Sequence, residues 1–377
     1  MKIRCDRGEI VEKLSSISGI IPTNSAKAIL YDFLLRTKGE ALLAEATDLE
    51  VCGIIEIERV EVLEQGSLTI PAAKLLSILR EIPSSVAGVI FEHTAGESSA
   101  MLRADGFEFR LLGHEPSEFP ISSELQAKLE IKISRDQFVQ SLRTVAVASA
   151  RDTSRHQLAG VCLEASIDRI TLTATDGKRL ANDSIRIDGP GPDRIEAIIP
   201  NRAVDAILKI LATGNLTGSD ETFQLGFTET EVIVRAGRNQ LSARLIEGSY
   251  PKYQSAFPRE TPIKVRVRRP ELLAAARSAQ LMADDQTFTV IFRFEEGQIL
   301  IWSQSKNVGE TKIQIKASVE NGPLQIRFNP SYVIDALRCI DDEEVRMDFA
   351  SGDRPGILRG GQNYRHLIMP LVVEGTS

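Results

Sequence analysis

A ten-residue pattern occurs three times in this chain, as IPAAKLLSIL from Ile70, IPNRAVDAIL from Ile199 and FNPSYVIDAL from Phe328, each copy 129 residues from the next. Solenoid repeats recur at roughly 20 to 50 residues. An interval this long makes each copy the marker of a whole domain, so the chain is constrained to three similar folds in series. Each copy begins in strand alternation (GSLTI, IEAII, LQIRF) and then changes to helical spacing, with apolar sets Leu75/Ile78/Leu79, Val204/Ile207/Leu208 and Val333/Ala336/Leu337. That i, i+3, i+4 spacing is one buried helix stripe.

A second helix recurs upstream in each third. Its apolar residues are Ile10/Val11/Leu14/Ile17, Phe138/Val139/Leu142/Val145 and Leu272/Leu273/Ala276/Ala279. Asp6 with Glu9 and Ser134 with Gln137 have capping-box spacing, and Pro270 suits a first helical position. Apolar strands meet polar turns at Asp48, Asp176 and Lys306, and alternating runs such as FEFRLL, EVIVRAG and EVRMDFA follow the second helix of each third. The expected fold class is therefore α+β: three repeated domains of about 125 residues, each with two helices packed on mostly antiparallel sheet. The polar, proline-containing stretches Glu115–Gln126 and Glu247–Pro262 are candidate linkers, which divide the chain into 1–128, 129–259 and 260–377.

Four cysteines, Cys5, Cys52, Cys162 and Cys339, are widely spaced without a CxxC, which suits a reducing compartment. With no signal peptide and no long apolar run, the expected location is cytoplasmic. The net charge of −7 is unevenly spread: the six helical segments carry +5 and the remainder −12. Helices gathered on one side would make that side attractive to a polyanion. Solvated helix faces rich in Lys and Arg account for the same numbers.

The search for catalytic chemistry is negative. His93, His114, His156 and His366 lack metal-ligand spacing, and there is no P-loop, GxSxG or GxGxxG. GPGP at Gly189–Pro192 and the Gly360 pair are read as turns, and the acidic pairs Asp284/Asp285 and Asp341/Asp342 as solvated helix ends. No cofactor or metal is expected, and an enzyme is disfavoured.

TDLE at Thr47, IPAAK at Ile70, ATDGKRLA at Ala174, EGSYPKY at Glu247, FNPSYVIDAL at Phe328 and Met369-Pro370 occur in one order along nearly the whole chain. In these the chain resembles the bacterial sliding clamps, the beta subunit of DNA polymerase III. The resemblance implies a DNA clamp fold in a head-to-tail homodimer, a ring of six domains whose helices line a hole around double-stranded DNA. A positive lining that meets phosphates carries no sequence preference, as sliding requires. Implied DNA-facing residues are Lys74, Arg80, Arg143, Arg151, Arg202, Lys209, Arg277 and Arg338, with Lys13 a further candidate. Asn24 and Ala73 stand where the family commonly has basic residues, with Lys27 near the first.

The resemblance also implies a peptide-binding pocket between the second and third domains, serving the replicative polymerase, the clamp loader, translesion polymerases and repair proteins. Its walls would be Arg155, Leu158, Thr175, Gly177, Lys178, Arg179, Leu180, Pro251, Asn329, Tyr332, Leu367, Ile368, Met369, Pro370 and Leu371. Lys178 replaces a common His, and the VVEGTS ending is longer than usual. The implied dimer contact joins Phe109 and Leu111, on an edge strand, to Leu281 and Met282 at a helix end. A rigid scaffold and a DNA-processing enzyme are the competing classes.

Overall fold

The computed structural model describes residues 1–94, 96–120, 127–152, 155–187, 194–212, 222–284, 287–305 and 309–371. Asp285, Lys306, the GPGP turn, the second half of the first linker and the VVEGTS tail lie outside the described residues.

Three repeats of one element order make up the chain. The first runs β1 (Lys2–Asp6), α1 (Arg7–Ile17), β2 (Asp32–Lys38), β3 (Ala41–Thr47), β4 (Val51–Ile57), β5 (Val60–Glu64), β6 (Ser67–Pro71), α2 (Ala72–Glu81), β7 (Gly88–Glu92), β8 (Ser99–Ala104) and β9 (Phe107–Leu112). The second runs β10 (Leu129–Ser134), α3 (Arg135–Ala146), β11 (Gly160–Ala165), β12 (Arg169–Thr175), β13 (Arg179–Arg186), β14 (Ile195–Pro200), α4 (Asn201–Ala212), β15 (Thr222–Phe227), β16 (Glu231–Ala236) and β17 (Asn239–Arg244). The third runs β18 (Ile263–Arg268), α5 (Arg269–Gln280), β19 (Val290–Glu295), β20 (Gln298–Ser305), β21 (Gly309–Glu320), β22 (Leu324–Phe328), α6 (Pro330–Arg338), β23 (Glu344–Phe349), β24 (Gly356–Gly360) and β25 (Tyr364–Ile368). Where the first repeat breaks into β4 and β5, the third keeps one long strand, β21.

Helix stripes follow the sequence periodicity with one regular refinement. Ile10, Leu14 and Ile17 of α1, Phe138, Leu142 and Val145 of α3, and Leu272, Ala276 and Ala279 of α5 are buried. Val11, Val139 and Leu273, one position along, are only half-buried in all three helices. They are the flank of the stripe, not its centre. In α2 the core set is Ala72, Leu75, Leu76 and Leu79, with Ile78 on the flank.

The α1 cap forms only half of the expected box. Asp6 Oδ1 accepts from the Glu9 amide at 2.7 Å, but the Asp6 amide is already bonded to the Arg59 carbonyl. Glu9 turns instead to the chain at β4–β5 and accepts from the amides of Glu58 (2.9 Å) and Arg59 (2.7 Å). A long-range pair of amides competes successfully with the local one.

Two compact units result: residues 1–139, 187–192 and 199–245 in the first, and 140–186, 193–198 and 246–377 in the second. The central repeat is shared between them because its two sheet halves are continuous with different neighbours. In the first unit β17 pairs antiparallel with β4, placing Leu241 opposite Gly53 and Ala243 opposite Val51. In the second unit β25 pairs with β13, placing His366 opposite Ala181 and Ile368 opposite Arg179. The last strand of one repeat thus adds to the fourth strand of the repeat before it, by the same backbone pairing each time.

Candidate functional site

Every wall residue of the implied peptide pocket lies in the second unit. The turn from β12 to β13 is set by side chain to backbone bonds: Asp176 Oδ1 accepts from the amides of Lys178 (2.9 Å) and Arg179 (3.0 Å). Gly177 holds φ = +88° in this turn, a conformation that a side chain disfavours. The Thr175 amide donates to the Tyr250 hydroxyl at 3.0 Å. Tyr250 itself is buried with Leu158, Cys162 and Ile198.

Arg179 joins the central and third repeats. Its guanidinium donates to Asp176 (3.0 Å) and to Asp335 of α6 (2.7 Å), and it lies 4.7 Å from the centre of the Tyr332 ring. Burial, and next the Asp176 carboxylate, push the Tyr332 phenol above its ordinary range. The Met369 amide donates to the Lys178 carbonyl, and the Leu371 amide to the Arg327 carbonyl, both at 2.9 Å. The closing segment is thereby stretched between the Asp176 turn and the strand that leads into α6, and Asn329 caps that helix by accepting from the Ser331 amide.

The pocket set divides by exposure. Leu158, Leu180, Leu367 and Ile368 are buried in the free protein and present little surface to a peptide. Arg179 is likewise engaged internally. Arg155, Gly177, Lys178 and Pro251 are exposed, and Thr175, Asn329, Tyr332, Pro370 and Leu371 are half-buried. Met369 is the large apolar side chain presented to solvent, 42% exposed. Tyr250, Asp176 and Asp335 were absent from the expected set, although Tyr250 lies inside the EGSYPKY motif.

All eight expected DNA-facing cations are exposed, but they are not equivalent. Arg202 donates to the Ile20 carbonyl (2.8 Å) and pairs with Asp48 (2.8 Å), so it fastens the first two repeats together. Arg80 bonds the Ser15 hydroxyl, and Arg338 lies 3.9 Å from Asp335. Lys13 is buried in a charged cleft of about 820 Å³ beside Glu9 and Glu56, which removes it from an exposed face. Asn24 and Lys27 are both exposed in the loop after α1.

Of the expected dimer residues, Leu281 is 77% exposed just past the end of α5, and Met282 and Phe109 are half-buried. Leu111 is buried in the single chain, while Phe107, stacked on Phe109 at 6.4 Å, and Leu112 carry the exposed apolar surface of β9. Among the described residues no group of three or more His, Cys, Asp and Glu could hold a metal ion, and no helix is long and apolar enough to cross a membrane.

Three similar α+β domains joined by strand addition, with paired helices, define the class: a three-domain sliding clamp fold. Family profiles for the N-terminal, central and C-terminal domains of the DNA polymerase III beta subunit match residues 1–123, 132–252 and 254–372. The chain belongs to the DNA polymerase III beta-subunit family. It is 28% identical to a beta sliding clamp of Chlamydia pneumoniae, over 98% of this chain and 99% of that one. Against a beta sliding clamp of Synechococcus elongatus the identity is 26%, with 98% and 99% covered. Solved sliding clamps of Pseudomonas aeruginosa (23% identity, TM-score 0.90, covering 99% and 100%) and Bacillus subtilis (24%, 0.89, 99% and 99%) share the fold.

Proposed function

We propose that this chain is a non-catalytic processivity factor, closing as a head-to-tail homodimer into a ring around double-stranded DNA and tethering the replicative polymerase. The observation that carries this reading is the repeated strand joint. β17 and β25 each pair with the preceding repeat, while their counterpart β9 ends its sheet. β4 and β13 each receive such a strand, while the Gly309–Lys316 half of β21, their counterpart, is paired only with β20 among the described residues. Among the described residues one donor and one acceptor edge of this repeated joint remain per chain, and a twofold dimer satisfies both.

The two existing joints supply the register for the third. Gly53, Ala181 and Thr311 are equivalent, each opposite a core-facing residue of the preceding strand, Ala46, Ala174 or Ser303. Phe109, the counterpart of Leu241 and His366, therefore falls opposite Thr311 of the partner. Leu111 then meets Gly309, and Phe107 meets Ile313. The remaining pairs are Arg110 with Glu310 and Glu108 with Lys312, both of opposite sign, as favourable cross-strand pairs should be.

The helix side of this joint follows. The Ser303 hydroxyl donates to the Ala279 carbonyl at 2.7 Å, which fastens the end of α5 to β20 directly across from Thr311. In the first repeat the position equivalent to Met282 is Ile20, which is 1% exposed where α1 packs with α4. Leu281 and Met282 are the same feature awaiting a second chain.

Lys74, Arg143 and Arg277, exposed on helices, and Arg151, exposed in the bend beyond the end of α3, are the cations on which DNA contact chiefly rests, with Arg80, Lys209 and Arg338 beside them and Arg202 divided between DNA and the joint. The Met369 groove receives short peptide motifs from the replicative polymerase, clamp loader, translesion polymerases and repair proteins, in the cytoplasm. The three domains span 1–128, 129–259 and 260–377. Protein loaded on nicked circular DNA is expected to stay bound in high salt and to leave when the circle is cut, since phosphate contacts weaken with salt and connectivity does not. Equal retention on linear and circular DNA would overturn the reading.

A further inference from the structure

Four arginines stand in one row across the third repeat. The register places Arg266 opposite Arg346, Arg346 opposite Arg359, and Arg359 opposite Arg365, on four consecutive strands, β18, β23, β24 and β25. They occupy the face turned away from α5 and α6, because their neighbours Val265, Val267, Val345 and Met347 are buried on the other face. Like charges directly opposite one another in a sheet are unfavourable.

The other repeats show that the fold does not require this row. The equivalent residues are Arg4, Ile90, Arg103 and Glu108 in the first repeat, and Lys132, Gln224, Arg235 and Gln240 in the second. First and third positions are basic throughout. The third-position arginine always has a nearby carboxylate: Arg103 pairs with Glu92, Arg235 with Glu130 and Arg359 with Asp348. Second and fourth positions are neutral or acidic except here, where both are arginine.

The two extra arginines are held differently. Arg365 is anchored, donating to Asn182 Oδ1 at 2.6 Å with its guanidinium 4.5 Å from the centre of the Phe257 ring. Burial, and then Arg359, press its pKa below the ordinary range. Arg346 and Arg266 are exposed, and neither guanidinium makes a hydrogen bond or ion pair with the described residues. The row floors a cleft of about 760 Å³ whose lining has six cationic side chains and two carboxylates, Glu320 and Asp348.

We propose that this cleft binds a short linear phosphate chain, as in an inorganic or nucleoside polyphosphate. Strands about 4.8 Å apart set the four guanidinium stems along roughly 14 Å, and guanidinium forks match phosphate oxygens. The two lining carboxylates leave most of the positive charge for an anion. A single-stranded nucleic acid fits less well, since the lining offers no exposed ring for base stacking. The volume is that of a small-molecule site.

The test is calorimetric titration of the full-length protein at low ionic strength with inorganic tripolyphosphate, a nucleoside triphosphate, orthophosphate, a dT12 oligonucleotide and polyglutamate. Tripolyphosphate is expected to bind with one site per chain, at least tenfold more tightly than orthophosphate. Arg346→Gln, which installs the side chain of the second repeat's Gln224, should weaken it at least tenfold. Arg4→Gln, in the first repeat's row, should leave it unchanged. A nucleoside triphosphate binding more tightly than tripolyphosphate would identify the nucleoside form, and equal binding the bare phosphate chain; both support the site. Absence of tripolyphosphate binding, unchanged affinity in a folded Arg346→Gln protein, or tighter binding of dT12 or polyglutamate would overturn it.

Discussion

Reversing Arg110 to Glu should break the proposed joint, and reversing Glu310 to Arg should mend it. A cross-strand pair of opposite sign contributes roughly 0.2 to 1 kcal/mol, and like charges in the same place cost a similar amount. One reversal therefore swings each joint by roughly 0.4 to 2 kcal/mol. A twofold dimer has two such joints, so dissociation should become easier by about 0.8 to 4 kcal/mol, or roughly 4- to 1000-fold in Kd. Arg110 and Glu310 are both exposed in the single chain, so each variant should keep its fold by circular dichroism. Sedimentation equilibrium would give the Kd of the wild type, both single variants and the double variant. Recovery of most of the lost affinity in Arg110→Glu/Glu310→Arg is the expected result. A double variant no tighter than the weaker single one would refute the register, and unchanged single variants would refute the pairing of these edges.

Two further outcomes follow from single side chains. Met369→Ala should weaken binding of a QLxLF-type peptide by roughly 1 to 3 kcal/mol while leaving DNA retention intact; unaltered peptide affinity in fluorescence anisotropy would remove Met369 from the site. His366 is fully buried, with Nδ1 2.8 Å from the Tyr364 hydroxyl, and burial lowers its pKa to about 3. The unfolded chain takes up that proton below about pH 6.5 and the folded chain does not, so stability falls as pH drops from there towards 3, by up to roughly 1.4 kcal/mol per unit. Urea unfolding of His366→Asn should show a shallower pH dependence than the wild type, and equal slopes would contradict the assignment.

The repeat, the six helices and their buried stripes could be read from sequence, because helical periodicity is local and the interval of 129 residues ties the copies together. The joints could not. Strand pairing is non-local, and nothing in EVIVRAG announces that the following strand will pair with Val51–Ile54 of another repeat. Position along the strand was a second limit: Phe107, Phe109 and Leu111 share one face of β9, but the burial of Leu111 and the exposure of Phe107 depend on where the strand ends, which alternation does not fix. Nor could the sequence show that Asp176 and Asp335, on different repeats, both hold Arg179. The arginine row was illegible for the same reason, since its members come from four separated strands.

The central claim is a ring closed through β9 and β21 around DNA, and a covalent lock tests it most directly. Residues opposite one another in antiparallel strands have Cα atoms about 4.5 to 5.5 Å apart, within the disulfide range of about 4.4 to 6.8 Å. Phe109→Cys with Thr311→Cys should therefore crosslink two chains at both joints under oxidation. After loading on nicked circular DNA, sealing of the nick and oxidation, a complex that survives denaturing detergent and is released by cutting the DNA is the predicted result. Crosslinked protein that leaves intact circles in detergent, or no crosslink between these positions, would contradict the account.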